Sequence, residues 1–259
     1  MKQIAALCLF AGAIVATPAM ASDDPYLWLE EIEGEKALAF ARAENLRSLA
    51  ELESRPLFAA MKSEAQEILR SDARLPLAEF NAGFVYNFWQ DKNAVRGIWR
   101  RSDAQSYLAG LPKWESLIDY DALAAAEGRN WIHGEIVCLG PVWRNCMIEL
   151  SDGGKDAATW REFDISAKSF VDGGFALGEA KSTLDWIDKD TLLVGTDTGE
   201  GSLTESGYAR VLRVLARGED VKSAPVFAEA AASDVWMGAR VESDGGKTRL
   251  FGVKGENFF

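Results

Sequence analysis

The residues best suited to chemistry are few. The chain has one histidine, His133, and three cysteines, of which Cys138 and Cys146 stand close together. An imidazole titrates nearest neutrality, so a lone histidine is a natural candidate for a base or a metal ligand. His133 sits in Trp131-Ile132-His133-Gly134, on a predicted strand. Seven residues, Leu139 to Asn145, separate the two cysteines and include Gly140-Pro141, which reads as a hairpin with one cysteine near the end of each strand. An oxidising compartment permits a Cys138–Cys146 disulfide, whose short ring contributes about 2.6 kcal/mol by loop entropy. A metal pair is the alternative, but one histidine and two cysteines do not complete a usual zinc set. Glu30, Glu31 and Glu33 read as a solvated acidic turn before a helix. Asp152 and Asp244, each followed by glycines, lack the alternating ligands and closing glutamate of a calcium loop and read as turns. The glycines between 199 and 207 lack the Gly-Lys-Ser/Thr ending of a phosphate loop. No metal or cofactor is therefore expected.

Composition narrows the class. Met1-Lys2-Gln3, an uncharged apolar run from Ile4 to Ala16, and Pro18-Ala19-Met20-Ala21 together describe a secretory signal peptide over 1–21. The run is too short to span a bilayer, and no later segment is long and apolar enough to do so. Cys8 lies inside the run, away from the cleavage boundary. The formal net charge is −12, and the only tight basic run is Arg100-Arg101. Nucleic acid is excluded as a partner, because its binders need a basic stripe. A periplasmic or secreted location is expected.

The rest of the chain has two textures. Residues 34–70 carry leucines at helical spacing (Leu38, Leu46, Leu49, Leu52), then a break at Ser54-Arg55-Pro56, with Pro56 placed to begin a second helix. After Pro76, β-branched and aromatic residues cluster between turn signals. Strands are expected at Phe84–Trp89, Ala94–Arg100, Trp131–Cys138, Cys146–Leu150, Thr159–Ile165, Leu184–Ile187, Thr191–Val194, Val211–Leu215, Val235–Val241 and Thr248–Val253. Residues 102–128 read as an inserted loop with a short helix around Asp121–Glu127. Ser-Asp-Gly-Gly-Lys occurs at 151–155 and again at 243–247, and a Trp-x-Asp-Lys turn occurs at Trp89 and at Trp186. The turn aspartates Asp91, Asp152, Asp188 and Asp244 average 51 residues apart. Four-stranded propeller blades recur at about 40–50 residues. A β-propeller fits this spacing, and a β-sandwich is the alternative.

Three stretches carry a family resemblance. Asp24-Pro25-Tyr26-Leu27-Trp28-Leu29-Glu30-Glu31 resembles the opening of the prolyl oligopeptidase family. Gly195 to Arg210, reading GTDTGEGSLTESGYAR, is similar to a propeller segment of its secreted bacterial members. Trp114-Glu115 with Leu117-Ile118-Asp119 resembles a segment before the family's second blade. An aromatic residue near Thr198 and a proline at Ala209 would fit the pattern better. The resemblance implies a seven-bladed propeller covering an α/β-hydrolase domain, with early helices that pack on that domain.

The resemblance also implies a serine peptidase of short peptides, with its catalytic residues downstream of the propeller. No serine here has glycine at both −2 and +2, so the nucleophile elbow is missing, and Gly199-Glu200-Gly201-Ser202 does not supply it. His133 falls at a family position that is not catalytic and is expected to be a structural or surface histidine. The nine tryptophans are expected to fill the gaps between blades. The expected organisation is a mainly β chain: signal peptide 1–21, helical segment 22–75, and incomplete propeller 76–259 with three to four blades. The chain is expected to stop inside the propeller, to be inactive alone, and to carry no catalytic, cofactor or metal residues. A non-catalytic periplasmic binding module, or one subunit of a split peptidase, is the alternative.

Overall fold

The computed structural model describes residues 24–257 apart from residues 32, 72, 74–76 and 245, so the expected leader over 1–21 lies outside the described residues. The chain forms two compact units that divide between Gln66 and Glu67.

In the first unit the Asp24 carboxylate accepts from Tyr26 N at 2.8 Å and starts a 3-10 turn, Leu27–Glu30. Trp28 from that turn meets Phe40 edge-on at 5.6 Å, with Lys36 Nζ 4.0 Å from its ring centre. Both partners come from helix α1 (Glu35–Glu53), whose buried residue is Ala37. The next helix, α2 (Phe58–Arg70), begins two residues after Pro56 rather than at it. Residues 54–57 form turns instead, and Phe58 N donates to Arg55 O.

The second unit is a series of antiparallel sheets. The first is β1 (Glu79–Asn81), β2 (Phe84–Trp89), β3 (Ile98–Asp103) and, after helix α3 (Ala104–Leu108), β4 (Glu115–Asp119). Helix α4 (Tyr120–Glu127) leads to the second sheet: β5 (Trp131–Cys138), β6 (Asn145–Asp152), β7 (Ala158–Asp164), β8 (Ser169–Phe170) and β9 (Ala176–Ala180). Both β8 and β9 pair with β7, so its last strand is broken in two. The third sheet is β10 (Thr183–Asp188), β11 (Thr191–Gly195), β12 (Val211–Ala216) and β13 (Val226–Glu229). The described chain closes with a hairpin of β14 (Trp236–Asp244) and β15 (Lys247–Gly255). Sheet follows sheet in order, which is a partial β-propeller: three full blades and the first hairpin of a fourth.

Successive residues of a strand point to opposite faces, and here both faces are buried. Cys146, Ile148 and Leu150 of β6 join Tyr86, Trp99, Leu117 and Ile118 of the first sheet in one core. Met147, between them, faces the other way and packs with Leu184, Trp186, Leu192 and Val194 of the third sheet. Leu193 then faces the closing hairpin, with Met237, Val241 and Leu250.

Several sequence expectations need correction. Residues 102–128 are not an inserted loop, since they hold α3, β4 and α4, and β4 completes the first sheet. Strand β3 begins at Ile98, not Ala94, because Asp91 accepts from Asn93 N and Ala94 N and lengthens the turn. The four turn aspartates are not equivalent. Asp91 and Asp152 lie between second and third strands, whereas Asp188 and Asp244 lie between first and second strands. The true repeat is in the first strands, which begin at Glu79, Trp131, Thr183 and Trp236, every 52 or 53 residues.

One ion pair ties neighbouring blades. Glu162 of β7 has almost no exposed surface, and Arg217, just after β12, reaches it with two bonds of 2.6 and 3.1 Å. Phe175 N and Asn145 Nδ2 also donate to the carboxylate, and Asp190 holds the other side of Arg217 at 3.1 Å. Burial pushes Glu162 up, but the bonds from Arg217, Phe175 and Asn145 outweigh it and hold the group below 4.5. A carboxylate depressed on folding stabilises fully above its unfolded value, and that contribution is lost as pH falls through the folded value. Arg217→Ala should therefore cost roughly 2–4 kcal/mol at pH 7 by urea unfolding, because a buried carboxylate is left unpaired. The gap to the wild type should narrow as the pH falls toward the folded value of Glu162, since protonation removes that charge. Cys138 and Cys146 are bonded across β5 and β6, and the double Cys→Ser variant should unfold about 2–3 kcal/mol more easily.

Candidate functional site

His133 sits where a β-bulge meets the first sheet. Up to His133 the pairing of β5 with β6 is regular, His133 facing Leu150, and it resumes with Ile136 facing Ile148. Gly134 and Glu135 therefore oppose the single residue Glu149, and Glu149 Oε2 accepts from Glu135 N at 2.8 Å. A side chain at 134 has no room, since a Cβ would lie 2.4 Å from the Glu149 carboxylate. The extra residue re-aims the strand, so His133 and Ile136, three apart, line the same cavity.

That cavity, roughly 300 Å³, lies between the first strands of two blades. Leu77, Ala78 and Glu79 form one side, and Tyr86, Phe88, Trp99 and Trp143 supply aromatic walls. The His133 ring stacks on Phe88 at 4.1 Å, and Trp143 tilts over Tyr86 at 5.2 Å. Trp143 belongs to the loop closed by the Cys138–Cys146 disulfide, and its N–H donates to Leu139 O at 3.0 Å. It holds a left-handed backbone, φ 54°. Behind the imidazole, Tyr120 Oη lies 2.9 Å from Nδ1. Tyr120 opens α4, which Asp119 caps by accepting from Ala122 N.

The electrostatics make His133 a poor base. Burial lowers its pKa to about 4, so the ring is neutral at pH 7. The same burial pushes the Tyr120 hydroxyl up. No serine or carboxylate bonds to the imidazole among the described residues, so the triad arrangement of nucleophile, base and orienting acid is not formed here. Further along the first strands, burial pushes Glu135 up, with Glu149 and Asp185 adding to it. Asp185 is raised by burial although Val241 N and Trp186 N donate to it.

The other candidate residues take local structural roles. Asp152 accepts from Asn130 N and pairs with Arg129 at 2.9 Å. Asp244 ends β14 opposite Lys247, in the tight turn of the closing hairpin. Ser202 bonds to Gly199 O and the Asp197 carboxylate inside its own loop. Glu30, Glu31 and Glu33 are exposed. No group of three side chains suited to a metal occurs among the described residues. The cavity escaped the sequence reading because its walls come from β2, β3, β5 and a loop. The readable signal was Gly134 beside His133, since a glycine inside a strand pattern marks a bulge.

Known proteins place this arrangement. Residues 13–250 match the family model described as the prolyl oligopeptidase, N-terminal beta-propeller domain. An uncharacterized peptidase of Sinorhizobium fredii is 40% identical over 218 residues, covering 83% of this chain and 30% of that protein. An uncharacterized peptidase of Rickettsia prowazekii is 30% identical over 205 residues, covering 76% of this chain and 28% of that protein. The chain thus spans less than a third of the length of either relative. The structure of a post-proline cleaving enzyme from Rickettsia typhi aligns at a TM-score of 0.77 and 27% identity, over 89% of this chain and 35% of that one. Oligopeptidase B from Leishmania major shares the fold, at a TM-score of 0.63 and 15% identity, over 85% of this chain and 29% of that one. With the family match running from before the first helix to the closing hairpin, the chain belongs to the prolyl oligopeptidase family, as its N-terminal β-propeller part.

Proposed function

We propose that this chain is the propeller portion of an exported serine peptidase that hydrolyses short peptides through an acyl-enzyme formed in an α/β-hydrolase domain. The observation that carries the proposal is the 40% identity to a peptidase of which this chain covers only 30%. The uncovered remainder is long enough for a catalytic domain, and Gly-x-Ser-x-Gly is absent from these 259 residues. The propeller's part is then access control and selection of substrate size. The apolar run from Ile4 to Ala16 and the Ala19-Met20-Ala21 site support export to the periplasm or beyond.

Exposed apolar side chains support a covering domain. Leu46, Leu49 and Leu52 of α1 and Met61 and Ile68 of α2 are all at least 48% exposed. On the closing hairpin, Phe251 and Val253 point away from the third sheet and keep about 40% of their surface, as expected where a further blade packs. Large apolar side chains left exposed on each of these elements support an interaction face on it.

Reading the coding DNA beyond Phe259 should reveal an open frame containing Gly-x-Ser-x-Gly, and a stop there with no hydrolase reading frame nearby would overturn the proposal. A fluorophosphonate probe should label the complete protein and leave this chain unlabelled, and specific labelling of this chain would contradict it. Replacing Leu46 and Met61 by Gln should leave the unfolding of this chain within about 0.5 kcal/mol of wild type. The same pair should lower the thermal midpoint of the complete protein, where those faces are covered.

A further inference from the structure

The aromatic cavity contains one polar group that the fold leaves unused. Tyr120 is fully buried, and the partner of its hydroxyl is His133 Nδ1. A buried hydroxyl keeps its proton in a hydrogen bond, so Tyr120 donates and Nδ1 accepts. In a neutral imidazole the other nitrogen then carries the hydrogen. Nε2–H has no partner among the described residues, and it is not among the buried side-chain nitrogens that lack one, so it faces the cavity that His133 lines. The site thus has aromatic walls of Tyr86, Phe88, Trp99 and Trp143 and one donor without a partner, since Asn87, which also lines it, donates to Leu77 O and accepts from Arg100 Nε, and Glu79 accepts from Asn81 Nδ2.

Such a box selects its occupant. An N–H donor pointing inward disfavours a cation at the His133 end, the Glu79 carboxylate on the other side is engaged by Asn81 Nδ2, and its charge disfavours an anion. A neutral ring cannot pair with a carboxylate as an imidazolium would. What fits is an uncharged acceptor joined to an apolar body, and a peptide unit with an apolar side chain has both. At roughly 300 Å³ the space stands at the small end of ligand pockets, room for one residue and not a folded chain. We propose that this cavity binds one apolar residue of a peptide, its side chain lying against Trp99, Trp143 and Tyr86 and its carbonyl oxygen accepting from His133 Nε2–H. The choice of a peptide over another acceptor rests on the peptidase reading, and the binding itself does not. The disulfide-tied loop sets the width of the site, because it carries Trp143.

The single histidine makes the test direct. In ¹⁵N-labelled chain, one imidazole gives one pair of nitrogen signals. These should report the Nε2–H tautomer before any ligand is added. Titration with N-acetyl-phenylalanine methylamide should shift Nε2 and its proton saturably and quench tryptophan emission. N-acetyl-glycine methylamide, with the same carbonyl and no side chain, should bind at least tenfold more weakly. His133→Phe keeps an aromatic wall without the donor and should weaken the probe three- to tenfold, the size of one neutral hydrogen bond. Trp143→Ala, in a surface loop, tests the wall independently should His133→Phe unfold, and it should weaken the probe more than His133→Phe does. An Nδ1–H tautomer, saturable binding that leaves the imidazole signals unmoved, equal affinity for the glycine probe, or no binding at the solubility limit would each overturn the proposal. Failure of the peptidase reading is separable: the complete protein would then leave short peptides uncleaved while this titration still succeeded.

Discussion

Burial of both faces of the strands at the middle of the series is the constraint on which the rest of this structure depends. β6 and β11 are each sandwiched, and alternate residues of one strand belong to different cores. A blade in such a series cannot bury its apolar surface alone, so its stability is held largely in the contacts with its neighbours. This explains why runs such as Cys146-Met147-Ile148 and Leu192-Leu193-Val194 are continuous rather than alternating. It also explains the tryptophans. Trp99, Trp160 and Trp186 are nearly fully buried in the seams, and Trp186 Nε1 reaches across to Val137 O in the next blade at 2.9 Å. Trp160 Nε1 finds no partner in its seam. An indole fills the widening gap between twisted sheets better than any other side chain, and here that gain outweighs an unmade bond.

Polar groups give the seams their register. Apolar packing alone tolerates sliding, whereas a buried carboxylate with fixed donors does not. Glu162 accepts from Arg217 and from Phe175 N, and Arg217 is gripped by Asp190 in the neighbouring turn. Closer to the first strands, Thr183 Oγ1 accepts from Ala239 N and Asp185 from Val241 N, so β10 caps two backbone donors of β14. The bonds from Arg217 to Glu162 and from β14 to β10 each span more than 50 residues of sequence. Their partners sit on different repeats, so none is visible as a local motif.

How much could be read from sequence depends on that division. The helices, the β5–β6 hairpin and the longer strands were legible, because their signals are local periodicity and turn chemistry. The approximate repeat was legible too, but for a partly mistaken reason. Asp91, Asp152, Asp188 and Asp244 mark two kinds of turn, and their average falls near the true interval because one lies in each of four successive blades. The outer strands β4, β8, β9 and β13 were missed: β8, β9 and β13 bury little, and β4, which buries Leu117 and Ile118, is short and flanked by charge. Glu115 in β4 pairs with Arg101 and Lys168, and reads as loop composition. The cavity is illegible as a unit: His133 reads as a structural or surface histidine, and its neighbours Phe88, Trp99 and Trp143 come from three other segments.

The placement of His133 shows how a bulge sets one polar ring in an aromatic cavity. A bulge is a local defect in a ladder, and it costs pairing at Gly134 and Glu135. The fold recovers that cost through Glu149, whose carboxylate takes the Glu135 N–H that pairing would have used. The defect brings a ring that would otherwise alternate away into the same cavity as Ile136. Burial then keeps the imidazole uncharged, and Tyr120 fixes its orientation from behind. A charged or rotating histidine in an aromatic box would need water, and water would fill the space that an apolar group otherwise takes. Neutrality, tautomer and position are therefore one feature, set by the bulge and the first turn of α4. Loss of any one of them changes what the cavity can hold, whether or not the blades still stack.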